Sequence, residues 1–248
     1  MRTVYILWLR QIKRYFRSRS RIVGAIGQPL LFLLALGYGL GSVYKAAGRG
    51  NYLQFLVPGI MAQTVLFSSM FYGAMIIIDR QFGFLKETLV VPVSRFKIMI
   101  GGALGGATTA VIQGSLVFFI SLAIGFRPHN WIMTLVALVF MCALALAITS
   151  FSSGIGSFVQ DMQGFQAINQ FLVFPLYFLS GALYPLNNVP TWLRIIAEIN
   201  PISYTVDALR WAMLGTTKFG LRADILAMSI TLVVLMTFGT IRFRHIRD

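Results

Sequence analysis

Long uncharged stretches decide most of what this chain can become. No Asp, Glu, Lys or Arg lies between Gly50 and Ile78 or between Ile98 and Phe126, and Ile22–Tyr44 is equally bare. A helix needs roughly 20 apolar residues to cross a bilayer. Inside hydrocarbon only helices and closed barrels satisfy every backbone polar group. Barrel strands would alternate in short segments, so the runs predict an all-α polytopic membrane protein. Charged residues make up 11% of the 248 residues, against about 25% in soluble domains.

Six spans follow from the runs: Ile22–Tyr44, a second within Gln54–Ile78, Phe96–Phe126, Trp131–Gly154, Phe165–Tyr184 and about Ile225–Ile241. An even number puts both ends on one side. The formal net charge of +14 would point to nucleic acid in a soluble protein. Here the inward bias of Lys and Arg in membrane proteins accounts for it, with no nucleic-acid partner. The N-terminal segment, the stretch 79–97 and the tail hold fourteen of the 21 Lys and Arg. Both termini are therefore expected in the cytoplasm, in a bacterial-type plasma or inner membrane. The whole of 1–248 reads as one six-span membrane domain.

Asp79–Lys97 is a mixed-charge island between two very apolar segments. Membrane proteins need few charges between spans, yet Asp79, Arg80, Lys86, Glu87, Arg95 and Lys97 gather here with Phe82, Phe84, Leu85 and Leu89. The pattern predicts a short amphipathic helix on the inner face, shaped to seat in a groove of a soluble partner. An ordinary solvated loop is the plainer alternative, because charge patterning is a weak signal. Pro92 ends that helix and Ser94 is a candidate cap for the next.

Residues 1–21 predict an amphipathic interface helix. Val4, Trp8, Ile12 and Tyr15 share one side, and Arg10, Lys13, Arg14 and Arg17 the other. Its basic side suits anionic head groups of membrane lipids. Gly101, Gly102, Gly105 and Gly106 make two overlapping GxxxG pairs, which allow close helix packing either within one subunit or at a dimer seam.

In the fifth span Gln163, Gln166 and Gln170 recur at helical spacing beside Asn169, and Phe174, Tyr177 and Phe178 follow. Polar amides in a span face other helices or a wet cavity. Gln166, Asn169, Gln170, Phe174 and Tyr177 are thus candidates for a substrate path, with interhelical hydrogen bonding as the plainer role. Residues 185–224 predict an outer re-entrant helical hairpin from Pro190–Ile199 and Pro201–Leu214, both too short to span. Asn200 caps the second helix, with Pro201 at its first position. Asp207 and Arg210 are spaced to pair, as are Arg194 and Glu198.

Enzyme chemistry is not expected. The chain has no G-x-x-x-x-G-K-[ST] phosphate loop and no cluster of metal ligands. Cys142 is its only cysteine, and neither His129 nor His245 stands beside a nucleophile. The spans lack the carboxylates of a proton relay.

Two stretches carry a family resemblance. KETLVVPVSRFKIMIGGALGG, at Lys86–Gly106, is similar to the matching stretch of type-2 ATP-binding-cassette exporter permeases, above all their daunorubicin-resistance branch. FLSGALYPLNNVPTW, followed by NPISYTVDALR, resembles the end of the same domain. The resemblance covers essentially the whole chain. It implies a half-channel that pairs with a second copy as a homodimer and binds two separate ATPase subunits carrying ATP and Mg; the permease itself holds no cofactor. The island then becomes a coupling helix, with Phe84, Leu85, Lys86, Glu87 and Leu89 against the ATPase. Asn200, Pro201, Tyr204, Asp207 and Arg210 fall in the outer re-entrant hairpin. The implied activity is outward movement of a hydrophobic or amphipathic drug or lipid. Lipid-linked polysaccharide or glycolipid export is the alternative substrate reading, and a non-transporting membrane scaffold the alternative role.

Overall fold

The computed structural model describes residues 2–47, 50–84 and 93–245, and no strand occurs among them. The helices are α1 (Arg2–Arg17), α2 (Arg19–Gly39), α3 (Gly41–Ala46), α4 (Tyr52–Gln81), α5 (Arg95–Ile124) and α6 (Trp131–Phe158). After them come α7 (Met162–Ile168), α8 (Phe174–Phe178), α9 (Thr191–Ile199), α10 (Pro201–Leu214) and α11 (Leu221–Arg244). Five are long and apolar enough to cross a membrane: α2 over Ile22–Gly39, and α4, α5, α6 and α11.

The expected span Phe165–Tyr184 takes a different form. It is a helical run of α7, a π turn at Asn169–Val173 and α8, with 7, 5 and 5 residues. At 1.5 Å per residue that is about 25 Å, the short limit for a span. Leu179 closes it in a turn, and the chain bends back before Tyr184.

Side-chain caps set several helix starts. Asn51 accepts from the Leu53 N–H (3.0 Å) and Asn130 from the Ile132 N–H (2.8 Å). Asp161 accepts from the Gly164 N–H (2.6 Å) and so begins α7. Ser94 stands at the N-cap of α5, but its side chain makes no cap hydrogen bond, contrary to expectation.

Helix α4 is the axis of the molecule. Its most apolar window is 83% buried, against 17% for those of α2 and α11. It packs on α2, α5, α6 and α10. Small residues permit the closest approaches: a Cβ on Gly156 would stand 2.5 Å from the Gly73 carbonyl oxygen. There the Ser152 hydroxyl accepts from the Gly73 N–H (2.8 Å) and donates to the Met70 carbonyl (2.6 Å).

The two GxxxG pairs serve two different neighbours within the chain. Gly101 and Gly105 face α1, where added methyl groups would meet Leu7 and Gln11. Gly102 and Gly106 face Tyr72 of α4. Residues one apart on a helix lie about 100° apart, so one four-residue stretch can seat two helices. The motif is occupied by packing within the subunit.

Candidate functional site

The island begins later than its charge pattern suggested. Asp79 and Arg80 belong to the last turn of α4, which runs to Gln81. Phe84 is 52% exposed at the edge of the described residues. Leu85, Lys86, Glu87 and Leu89 lie outside the described residues.

Asp79 is only 9% exposed and holds two arginines of α1. The Arg10 Nη2 donates to Oδ2 at 2.9 Å and the Arg14 Nη1 to Oδ1 at 2.8 Å. Arginines at i, i+4 share a helix face, so one carboxylate receives both. Arg80 points toward α6 instead. Its guanidinium donates to the carbonyls of Ser157 (2.7 Å) and Val159 (3.0 Å), which the end of α6 leaves without helical donors. Two consecutive residues therefore tie α1, α4 and α6 together just before the island.

Helix α1 is fixed along α5 as well, since the Trp8 Nε1 donates to the Thr108 hydroxyl at 3.0 Å. The Arg95 Nη1 donates to the Arg244 carbonyl (3.2 Å), joining the start of α5 to the end of α11. One end of the bundle thus collects α1, the last turns of α4, α6 and α11, and the first turn of α5. Beside the clamp, Ile6, Leu9, Lys13, Arg17 and Phe84 border an open groove of about 680 Å³.

The proposed path residues do not share one surface. Gln166 and Gln170 are exposed, and Asn169 and Phe174 are half-buried. Tyr177 is fully buried, with its ring 6.1 Å from that of Phe67. Phe174 also packs against Phe67, with the rings tilted and their centres 5.1 Å apart. The π turn, which itself carries Asn169 and Gln170, shifts the chain's rotation just before the aromatics. Such turns are rare and concentrate at functional sites.

At the opposite end, the helix pair α9–α10 forms as expected. The Asn200 side chain accepts from the Ile202 N–H (3.0 Å) and donates to the Leu176 carbonyl (2.5 Å). Pro201 and Ile202 lie beside residues 143–148, the middle of α6. The end of α10 is tied to the loop before α6 by the His129 N–H to the Met213 carbonyl (2.8 Å). The Tyr204 hydroxyl donates to the Glu198 carbonyl (2.6 Å), and Arg194 pairs with Glu198 at 2.9 Å.

Asp207 and Arg210 do not form the expected pair. Asp207 accepts from the Thr217 hydroxyl and from the Lys218 and Phe219 N–H groups, each with a 2.8 Å contact. Arg210 reaches the other way, donating to the carbonyls of Gly181 (2.9 Å) and Ala182 (3.0 Å). Its guanidinium stands 3.8 Å above the Phe55 ring centre. Turn backbone outcompetes the i, i+3 partner on both sides, because these buried groups have no water to turn to. In the loop after α10, burial and the nearby Arg194 charge push the Lys218 ammonium down.

The clamp is the feature missed by sequence reasoning. Its signal was present in Arg10 and Arg14 on one face and a lone carboxylate at the end of a span. Nothing in one dimension pairs them.

The ABC-2 type transporter family matches residues 2–214. The chain belongs to the ABC-2 type transporter family. Permease ycf38 of Cyanophora paradoxa is 30% identical over 94% of this chain and 84% of its own length. The daunorubicin resistance ABC transporter permease protein DrrB1 of Streptomyces coeruleorubidus is 24% identical, covering 97% and 84%. The inner membrane transport permease YadH of Escherichia coli (strain K12) is 27% identical, covering 84% and 82%. This ABC-2 chain is accordingly a multi-pass permease component of an ABC transporter. Permeases of this family are the membrane component rather than the ATPase, and they work with ATP-binding subunits.

Proposed function

We propose that this permease is one half of an ATP-driven exporter that moves a hydrophobic or amphipathic drug or lipid outward. The supporting observation is the clamp at the end of α4. A push on the island reaches α1 and α6 through Asp79 and Arg80 over 2.7–3.0 Å contacts. Packed helices joined in this way move as one body.

On this reading Phe84, Leu85, Lys86, Glu87 and Leu89 meet a cytoplasmic ATPase, which carries ATP and Mg. Two permease copies pair as a homodimer with two ATPase subunits. The exposed Gln166 and Gln170 face the translocation route, with Asn169, Phe174 and Tyr177 shaping its wall. Asn200, Pro201, Tyr204, Asp207 and Arg210 form an outer re-entrant hairpin, with Asn200 deepest. Both termini are cytoplasmic, in keeping with the charge distribution.

The test is co-purification of this chain with its ATP-binding subunit from the cells that make both. Wild type retains it, while Glu87→Arg releases it with an unchanged melting midpoint. Retention by both Glu87→Arg and Phe84→Ala would overturn the coupling assignment.

A further inference from the structure

A groove of about 480 Å³ lies between α2 and α4. Gln28 and Pro29 form one wall, and Gln63, Phe67, Ser68 and Phe71 the other. It extends toward Ser18 at the α1–α2 junction, and so opens toward the end of the bundle that holds the clamp.

Gln63 lines this groove while only 1% exposed. Neither its Oε1 nor its Nε2 has a hydrogen-bond partner among the described residues. A buried amide without partners is destabilising unless something supplies them. Nearby polar groups are already committed: the Thr64 hydroxyl donates to the Ile60 carbonyl (2.9 Å), and the Ser68 hydroxyl bonds to the Gln113 side chain. Pro29 adds another acceptor. Lacking an N–H, it leaves the carbonyl of Ala25, also on the groove wall, without its helical donor.

These groups select a ligand chemistry. An amide offers both a donor and an acceptor, which a hydroxyl answers with both of its own. Among the described residues no Lys, Arg, Asp or Glu lines the groove, so beside Gln63 a charged head would lie in a low-dielectric site without a counter-charge from them. Phe67 and Phe71 present apolar surface beside the amide, suited to a hydrocarbon chain or a sugar face.

We propose that this groove binds the uncharged, hydroxyl-bearing headgroup of an amphiphile, with Gln63 as its buried anchor. The exporter reading is needed only to call that amphiphile cargo.

The experiment is native mass spectrometry of the full-length permease in lauryldimethylamine oxide micelles. The probes are monoglucosyl diacylglycerol, the same diacylglycerol bearing phosphoglycerol, and decyl glucoside. Wild type retains a glucosyl amphiphile in preference to the phosphoglycerol lipid. Retention of decyl glucoside as well identifies a site for single-chain amphiphiles, and retention of the diacyl form alone identifies a lipid site. Gln63→Leu lowers glucosyl retention about tenfold, the effect of losing roughly one hydrogen bond to the ligand. Gln28→Leu, on the exposed wall, weakens it without altering the melting midpoint, and decides the question if Gln63→Leu does not fold.

Unchanged retention in Gln63→Leu with a raised melting midpoint would overturn the proposal, since the amide would then be a packing defect. Equal retention of the phosphoglycerol lipid would also overturn it. A permease that retains the glucosyl probe but captures no ATPase would refute the exporter reading and leave this site standing. The reverse result would refute the site alone.

Discussion

Asp79 carries two arginines on one carboxylate, and its value depends on how dry the contact is. Its side chain is 13% exposed, while those of Arg10 and Arg14 are 39% and 34% exposed. Removing one member of a fully buried pair costs about 3–5 kcal/mol, but solvent screens the outer ends of these arginines. Asp79→Asn should therefore destabilise by roughly 1–2 kcal/mol, read as a lower melting midpoint. If the clamp transmits force, the same variant retains the ATPase but loses substrate-stimulated ATP hydrolysis. Arg210 behaves differently because it holds turn carbonyls rather than a carboxylate. Arg210→Ala leaves the carbonyls of Gly181 and Ala182 without this donor and removes the contact with Phe55. A loss of about 2–4 kcal/mol is expected, with proteolysis within 179–190 as a local readout.

Helices α1 and α5 depend on missing side chains. A methyl group on Gly105 would stand 2.6 Å from Gln11 Cβ, whereas one on Gly27 would meet nothing within 4 Å. Gly105→Ala should cost about 1–3 kcal/mol through overpacking. Gly27→Ala should be neutral or slightly stabilising, by up to about 1 kcal/mol. Melting of the two variants in parallel separates close packing from helix propensity. The composite run of α7, the π turn and α8 shows the other limit of sequence reading. Its composition matched a span from Phe165 to Tyr184, but periodicity does not register one inserted residue in a turn. That insertion leaves Gln166 and Gln170 exposed while Tyr177 is buried.

Across the whole molecule, the two ends differ in how charge is used. The end with α1 and the clamp joins helices through arginines, and the other joins turns through Asp207 and Arg210. Alternation of the long helices places Val159 and Thr216 at opposite ends. In a Cys142→Ser background, a single cysteine at Thr216 should react with an impermeant maleimide on intact cells. One at Val159 should react only after permeabilisation. Labelling of the reverse pattern would invert the proposed orientation and place the island outside the cell.

Uncharged run lengths determined that the chain is helical and membrane-embedded, because hydrocarbon accepts little else. The cap at Asn200 and the α9–α10 pair were legible for a related reason: local chemistry acts within a few residues. The partners of Asp79, Asp207 and Arg210 were not, nor was the groove beside Gln63. Each brings together residues ten to about seventy positions apart, and the choice among competing partners rests on which backbone groups packing leaves dry. Sequence alone determined the elements, and tertiary packing decided which polar groups met.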